Sequence, residues 1–146
     1  MTAAPLPPPL PLRVLLLDDD AFMLDLVHEM LDALGQFEVH AESCAKRALQ
    51  TLAQIQPTLL ICDLSLPDMD GIEFLQAAAE ARFAGCVMLL SGMDDGVRRA
   101  AERLARAQGL RVLGAYRKPI GSAALAAALA PLLAGAPGAC AATPEA

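Results

Sequence analysis

Residues 58–71 read TLLICDLSLPDMDG, and this stretch carries the strongest indication of the fold. Its first half is a short, largely apolar run without the polar alternation of a half-exposed strand. Such a run is typical of a strand that is buried on both faces of a parallel sheet. The run ends directly in Asp63, and Asp70-Gly71 then marks the start of a helix. Turn chemistry explains an acid at the end of a buried strand poorly, so we expect Asp63 to belong to a site there.

The pattern of a short apolar run followed by a segment of helical period occurs five times in the chain. It predicts five β/α units and a parallel sheet covered by helices on both faces. The second run alternates apolar and polar residues, as a half-exposed edge strand does. The predicted strands are residues 13–17, 37–41, 58–62, 86–90 and 111–115. The predicted helices are residues 21–34, 43–56, 70–83, 94–109 and 122–134.

Local residues indicate where these helices begin and end. Gly35 should stop the first helix, Ser43 should cap the second, and Pro131 should end or kink the fifth. The fourth helix is amphipathic. Its predicted inward side consists of Val97, Ala100, Ala101, Leu104 and Ala105, and its predicted outward side of Arg98, Arg99, Glu102, Arg103 and Arg106.

Length and composition limit the class of protein. The chain has 146 residues, which suits one domain, and we expect a Pro-rich tail over 1–11, the domain over 12–134 and a flexible tail over 135–146. A net charge of −6 and an aromatic content of 3% argue against direct binding of nucleic acid. The apolar stretches are interrupted well before about 20 residues, so we expect neither a membrane span nor a secretory signal.

Cysteine usage indicates the compartment. The cysteines lack Cys-x-x-Cys spacing, so we expect buried thiols in a reducing cytoplasm rather than disulfides or zinc ligands. They are Cys44, Cys62, Cys86 and Cys140.

Polar residues follow four of the five predicted strands, and parallel strands deliver their last residues to one edge of the sheet. These residues are Asp18, Asp19, Asp20, Asp63, Ser91 and Lys118. Carboxylates that lie this close cannot all be ionised without a raised pKa or a bound cation. A set of oxygen ligands with few carboxylates favours Mg²⁺. A carboxylate could then attack a phosphoryl group whose charge is bound by the ammonium and the hydroxyl, so the edge predicts phosphoryl transfer to an aspartate.

Four motifs in this order resemble those of the receiver domain of bacterial two-component response regulators. They are LLLDDD at 15–20, CDLSLPDMDG at 62–71, LLSG at 89–92 and RKP at 117–119, and the match spans about residues 12–134. The resemblance implies a CheY-like, flavodoxin-like α/β fold. This is a doubly wound (βα)5 domain with a parallel five-stranded sheet of order 2-1-3-4-5. It also implies a signalling domain rather than an enzyme, with intrinsic self-phosphorylation and autodephosphorylation.

The resemblance also implies roles for the acidic residues. Asp63 would be the phosphoacceptor. Asp18 and Asp19 would hold Mg²⁺, with Asp19 the direct ligand, and Asp63 and the backbone carbonyl of Ser65 would complete the metal site.

Further roles concern the phosphoryl group and the partners. Ser91 and Lys118 would contact the phosphoryl group, and the bond between Lys118 and Pro119 would be cis. The implied partners are a sensor histidine kinase or a phosphotransfer protein, a downstream target protein or domain, and a second copy bound through the fourth helix, fifth strand and fifth helix. The chain would act as a stand-alone receiver or as the receiver piece of a longer protein.

Two features depart from the family pattern, and two positions are expected to affect the lifetime of the phosphoryl group. The family has an aromatic residue three positions before the lysine, but Ala115 stands there and Tyr116 follows it. The stretch between Ser91 and Lys118 is also long. Ser65 and Met93 are the positions where we expect the phosphoryl lifetime to be tuned.

Two other functions remain open at this point. A pseudo-receiver would bind partners without being phosphorylated, and Ala115 keeps that alternative open. A phosphatase of the haloacid dehalogenase kind would use Asp18 as nucleophile and Asp20 as acid and base, but it leaves Asp63 unexplained.

Overall fold

The structure is a computed structural model that describes residues 12–35, 37–66, 68–92 and 94–133. Strands and helices alternate along the chain. The strands are β1 Leu12–Leu17, β2 Phe37–Glu42, β3 Leu59–Asp63, β4 Cys86–Ser91 and β5 Arg111–Arg117. The helices are α1 Ala21–Leu34, α2 Ala45–Ile55, α3 Gly71–Glu80, α4 Asp95–Ala107 and α5 Ser122–Leu133. The predicted tails at 1–11 and 135–146, together with Pro67, Met93 and Cys140, lie outside the described residues.

The five strands form one parallel sheet in the order β2-β1-β3-β4-β5, which confirms the predicted α/β fold class. β3 is buried along its whole length. β2 lies at the edge of the sheet and none of its residues is fully buried, but the expected alternation is not kept, because Ala41 is exposed and His40 is half-buried. Across the four ranges that the structure describes, no helix combines the length and the apolar character needed to cross a membrane.

Successive residues of each central strand pack on opposite faces of the sheet. In β1, Leu15 and Leu17 contribute to the α2–α4 layer, the core between the sheet and helices α2, α3 and α4. Val14 and Leu16 contribute to the α1–α5 layer, the core between the sheet and helices α1 and α5. Burial on both faces explains why the central strands read as continuous apolar runs.

Several helix boundaries differ from the prediction. α1 ends at Leu34 before Gly35 as expected, but the N-cap of α2 is Cys44 rather than Ser43. α3 ends at Glu80 and α4 at Ala107, each earlier than expected. Pro131 was expected to end or kink α5, and it does not end the helix, which continues to Leu133. A proline this close to the helix end removes little hydrogen bonding, and Leu125 and Leu129 anchor the helix in the α1–α5 layer.

The predicted inward side of α4 is only partly right. Ala101 and Ala105 are buried, but Ala100 is exposed, and Val97 and Leu104 are 43% and 47% exposed. The side chain of Arg98, predicted to face outward, is only 16% exposed. Small alanines let the helix approach the sheet closely, so the buried stripe is centred on them and the larger apolar residues are left at its margin.

β5 contains a β-bulge. Val87 of β4 pairs with Val112, but the next residue of β4, Met88, pairs with Gly114. Leu113 is therefore an extra residue in β5, and it accounts for part of the long stretch before Lys118.

The cysteine prediction is confirmed in part. Cys44 and Cys62 are free thiols, and Cys62 is buried. Cys86, however, is disulfide-bonded, which corrects the expectation for that residue. The absence of Cys-x-x-Cys spacing does not exclude pairing between cysteines that are far apart in the sequence.

Candidate functional site

The acidic residues predicted at the strand ends come together in the structure. Leu17, the last residue of β1, pairs with Cys62 of β3, so Asp18 and Asp63 follow at the same level of the sheet. Asp18 is 5% exposed and Asp63 is 2% exposed, whereas Asp19 is exposed. One carboxylate oxygen from each of these three residues lies within 4.8 Å of the others.

Lys118 joins the two buried carboxylates. Its Nζ lies 2.9 Å from Asp18 Oδ2 and 3.2 Å from Asp63 Oδ2. The backbone N–H of Lys118 donates to the carbonyl of Ser91 at 2.9 Å, and the bond to Pro119 is cis, as expected. A lysine that follows an edge strand therefore reaches across the end of β4 to the central strands.

The other oxygen of each buried carboxylate binds the backbone. Asp18 Oδ1 accepts from the N–H of Asp20 at 2.9 Å, and Asp63 Oδ1 accepts from the N–H of Ser65 at 3.1 Å. Both carboxylates are thus held by one N–H and by the Lys118 ammonium. Such double anchoring fixes the direction of the side chains before any ligand binds.

The charges at this edge are not balanced by the ammonium alone. Burial, opposed by the Ser65 N–H and reinforced by the charge of Asp18, raises the pKa of Asp63 above its ordinary value, although Lys118 acts in the opposite direction. Burial alone would lower the pKa of Lys118, but its hydrogen bonds and charge interactions with Asp18 and Asp63 raise it, so it stays an ammonium at neutral pH. The raised pKa of Asp63 reflects its burial first and the neighbouring charge of Asp18 second.

The side chains at this edge fit a hard divalent cation. The grouped donors of Asp18, Asp19 and Asp63 are all carboxylate oxygens, and the exposed Asp19 leaves the site open to water on one side. Oxygen ligands with room for water are what Mg²⁺ requires.

Ser91 is buried at the end of β4, where it pairs with Arg117 of β5. It follows Leu90, the residue that pairs with Asp63. The structure therefore places Ser91 at the same edge as the acidic residues and Lys118. Asp20 has a different role, because its carboxylate accepts from the N–H of Phe22 at 2.9 Å and caps α1.

The bulge in β5 decides what occupies the position of the missing aromatic residue. Ala115 packs on the α2–α4 layer, whereas Tyr116 packs on the α1–α5 layer, where its ring lies over Gly114. Tyr116 therefore does not replace an aromatic side chain at Ala115. The guanidinium of Arg98 approaches the carbonyl of Ala115 at 3.5 Å instead. The sequence assigned Arg98 to the outer side of α4, so this contact was missed.

The sequence is similar to proteins of one family. The family model for the response regulator receiver domain matches residues 14–130. A protein-glutamate methylesterase/protein-glutamine glutaminase of Symbiobacterium thermophilum is 32% identical over 116 residues, which cover 79% of this chain and 31% of that protein. The corresponding protein of Treponema denticola is 34% identical over 83 residues, which cover 56% of this chain and 22% of that protein. The chain thus spans less than a third of either relative.

Solved structures support the same assignment. A response regulator from Colwellia psychrerythraea is 36% identical, with a TM-score of 0.71 over 82% of this chain and 94% of that one. A CheY-like receiver domain protein from Methanospirillum hungatei JF-1 has a TM-score of 0.73 over 86% of this chain and 95% of that one. Its identity of 24% supports the fold alone. With the family match covering most of the chain, this protein belongs to the response regulator receiver domain family.

Proposed function

We propose that this domain accepts a phosphoryl group on Asp63 from the phosphohistidine of a histidine kinase or a phosphotransfer protein. The observation that carries the proposal is the Lys118 ammonium within 3.2 Å of two buried carboxylates, one of which ends the central strand β3. A buried carboxylate held by a cation and by a backbone N–H is an oriented nucleophile rather than a surface charge. The domain is a signalling module, and its self-phosphorylation and autodephosphorylation are part of the proposal.

In the proposed step, a carboxylate oxygen of Asp63 forms a bond to phosphorus. The bond between phosphorus and the donor imidazole nitrogen breaks, and that nitrogen keeps the electron pair and takes up a proton. The Ser65 N–H and Lys118 both bind the carboxylate of Asp63, so they favour the ionised form that attacks. Lys118 then faces the charge of the transferred group, and the Ser91 hydroxyl would bind one of its oxygens.

Mg²⁺ is the cofactor of this proposal. The carboxylates of Asp18, Asp19 and Asp63 would hold it together with the backbone carbonyl of Ser65, and the proposal is supported by the one oxygen from each carboxylate that lies within 4.8 Å of the others. When bound, the ion supplies positive charge that offsets the negative charge of the phosphoryl group.

The output of the domain is proposed to pass through the α4-β5-α5 face to a downstream target protein or domain. Val97 and Leu104 of α4 are 43% and 47% exposed, and they offer apolar area on this face. The same area would serve a homodimer. Substituting Asp for Leu104 is expected to abolish phosphorylation-dependent dimerisation in analytical ultracentrifugation, and an unchanged dimer would place the interface elsewhere. A cytoplasmic location is implied by the same family resemblance.

The phosphatase alternative receives less support from the contacts. It requires Asp20 as acid and base, but the carboxylate of Asp20 caps α1 through the N–H of Phe22. It also leaves the contact between Lys118 and Asp63 without a role. The pseudo-receiver alternative remains an outcome of the experiment below.

Intact-mass measurement tests the proposal. The protein is incubated with Mg²⁺ and acetyl phosphate or phosphoramidate, and a labile adduct of about 80 Da, one phosphoryl group, is expected. The adduct should require Mg²⁺ and should be absent from Asp63→Ala. Asp25→Ala, which removes an exposed carboxylate from α1, should keep it. No adduct on the wild type, under conditions that phosphorylate a control receiver, would contradict the proposal and favour a pseudo-receiver.

A further inference from the structure

Helix α2 is capped from a distant part of the chain. Within the described residues, its N-cap residue Cys44 makes no side-chain hydrogen bond that caps the helix. The carboxylate of Asp68 occupies this position instead. Its Oδ1 accepts from the N–H of Ala45 at 3.1 Å, and its Oδ2 accepts from the N–H of Lys46 at 3.2 Å. The thiol of Cys44 also donates to Oδ2, at 3.2 Å.

These contacts meet a definite need of the helix. The first N–H groups of an α-helix have no partner within the helix, and a negative charge near them is favourable. Asp68 supplies both the acceptor oxygens and the charge. The hydrogen bond from the Ala45 N–H has the largest effect on the pKa of Asp68, and the one from the Cys44 thiol has the next largest. Both lower this pKa below its ordinary value, so the carboxylate is ionised at neutral pH.

Asp68 lies in the segment between β3 and α3, residues 64–70, which begins directly after Asp63. The start of this segment is fixed because the N–H of Leu64 donates to the carbonyl of Leu90 at 3.0 Å. Its end is fixed because Asp70 caps α3 and the N–H of Gly71 donates to the carbonyl of Leu64 at 3.2 Å. Between these two ends, Asp68 binds a third element, α2.

The segment also carries Ser65, whose N–H donates to Asp63 Oδ1 at 3.1 Å. We propose that Asp68 is a positioning residue for the phosphorylation site, because it anchors segment 64–70 to α2 and so holds the Ser65 backbone against Asp63. This inference rests on the proposed function, in which the Ser65 carbonyl is a metal ligand. A backbone ligand has no rotamer of its own, so its position depends entirely on how the segment is held. Without the anchor, all the ligand atoms are still present, but the position of the Ser65 carbonyl is less well fixed before the metal binds.

Three variants separate this role from simple helix capping. Asp68→Ala removes the anchor and the cap together. Asp68→Asn keeps one acceptor oxygen and should give an intermediate effect. The double variant Asp68→Ala/Cys44→Asp returns a cap to α2 from its own N-cap position, but it does not reattach segment 64–70.

Two readouts are measured on each protein. Hydrogen exchange of the Ser65 amide, followed by NMR without metal, reports whether the contact with Asp63 persists. The second readout is the dependence of the acetyl phosphate reaction on Mg²⁺, which gives a half-saturating concentration and a maximal rate. For Asp68→Ala we expect faster Ser65 exchange and a half-saturating Mg²⁺ concentration raised about tenfold, with a much smaller change in the maximal rate.

The double variant decides between the two roles. It should restore slow exchange at the Lys46 amide while Ser65 exchange stays fast and the Mg²⁺ requirement stays raised. If the double variant also restores slow Ser65 exchange and the wild-type Mg²⁺ requirement, the positioning role is overturned. The same holds if Asp68→Ala behaves as the wild type. Asp25→Ala removes an equal charge from α1, and an equal rise in its Mg²⁺ requirement would also overturn it, because net charge would then be the cause.

Failure of the proposed function gives a different result. A wild type that forms no phosphoryl adduct contradicts phosphoacceptance at Asp63. Ser65 exchange without metal still tests the anchor in that case, because the contact between Ser65 and Asp63 needs neither phosphate nor Mg²⁺.

Discussion

Lys118→Met tests how the buried carboxylates are stabilised. Methionine keeps an unbranched apolar side chain but removes the ammonium, which lies 2.9 Å from Asp18 and 3.2 Å from Asp63. Removing one partner of a buried ion pair costs about 3–5 kcal/mol. The Lys118 side chain is 19% exposed and the neighbouring Asp19 is exposed to solvent, so screening reduces the expected loss to about 2–3 kcal/mol. For a domain of this size that corresponds to a fall of about 8–12 °C in melting temperature.

The loss should depend on pH with a defined sign. Burial raises the pKa of Asp63, so the folded state holds this proton more tightly than the unfolded chain. The stability linked to this proton is fully present below the unfolded pKa of about 3.9 and is lost as the pH rises through the folded pKa. Without Lys118, its charge and its hydrogen bond no longer lower the pKa of Asp63, so this pKa rises further. The free energy of unfolding of Lys118→Met should therefore fall furthest below that of the wild type near about pH 7, and the two values should approach each other toward about pH 4.

Urea unfolding followed by circular dichroism, in buffer with a chelator and at several pH values, measures this deficit. Adding Asp63→Asn to Lys118→Met should recover more than half of the lost stability, because Asp18 then no longer faces a second buried charge. A deficit that is equal at every pH and is not relieved by Asp63→Asn would refute the argument. Lys118 would then act through the packing of its aliphatic stem.

Three further predictions concern the same edge of the sheet. Gly71→Ala should destabilise the domain by about 2 kcal/mol, since a Cβ there would lie 2.6 Å from Leu64 Cα, whereas Gly92→Ala, with no described atom within 4 Å, should stay within about 0.5 kcal/mol in urea unfolding. Asp70→Ala should cost about 1 kcal/mol by removing the capping box of α3, and Asp70→Asn clearly less in the same assay. Mg²⁺ at ten times its dissociation constant should stabilise the wild type by about 1.4 kcal/mol in thermal unfolding, and Asp19→Ala by less at the same concentration.

The central part of the fold and the acidic edge could be predicted because one physical constraint governs both. β3 is buried on both faces, so its sequence has to be apolar along its length, and a continuous apolar run of this kind is visible without a structure. The first polar residue after such a run must stand at the carboxyl end of the sheet. Asp18 and Asp63 were found in that way, whereas Lys118 was singled out by its place beside Pro119 at the end of the fifth strand, and the structure brings Lys118 into contact with both carboxylates.

The cap of α2 could not be predicted because it depends on tertiary structure. Ser43 has the side chain of an ordinary N-cap and stands just before the helix, so it was predicted as the cap. The carboxylate that caps α2 belongs to Asp68. Asp68 stands 24 residues beyond Cys44, and no local signal connects the two. Only the tertiary structure brings the Asp68 carboxylate to that helix end.

In β5, one extra residue changes the face of the sheet on which the following side chains pack. Strict alternation from Val112, which packs on the α2–α4 layer, would place Tyr116 on that layer and Ala115 on the opposite one. The bulge at Leu113 reverses this alternation, and the two residues exchange faces. Moving the aromatic residue one position along β5 is therefore a change of sheet face rather than a small displacement. Tyr116 packs toward α1 and α5, so the polar contacts between α4 and β5 come from arginines instead: Arg98 approaches the carbonyl of Ala115, and Arg106 donates to the carbonyl of Val112 at 3.0 Å.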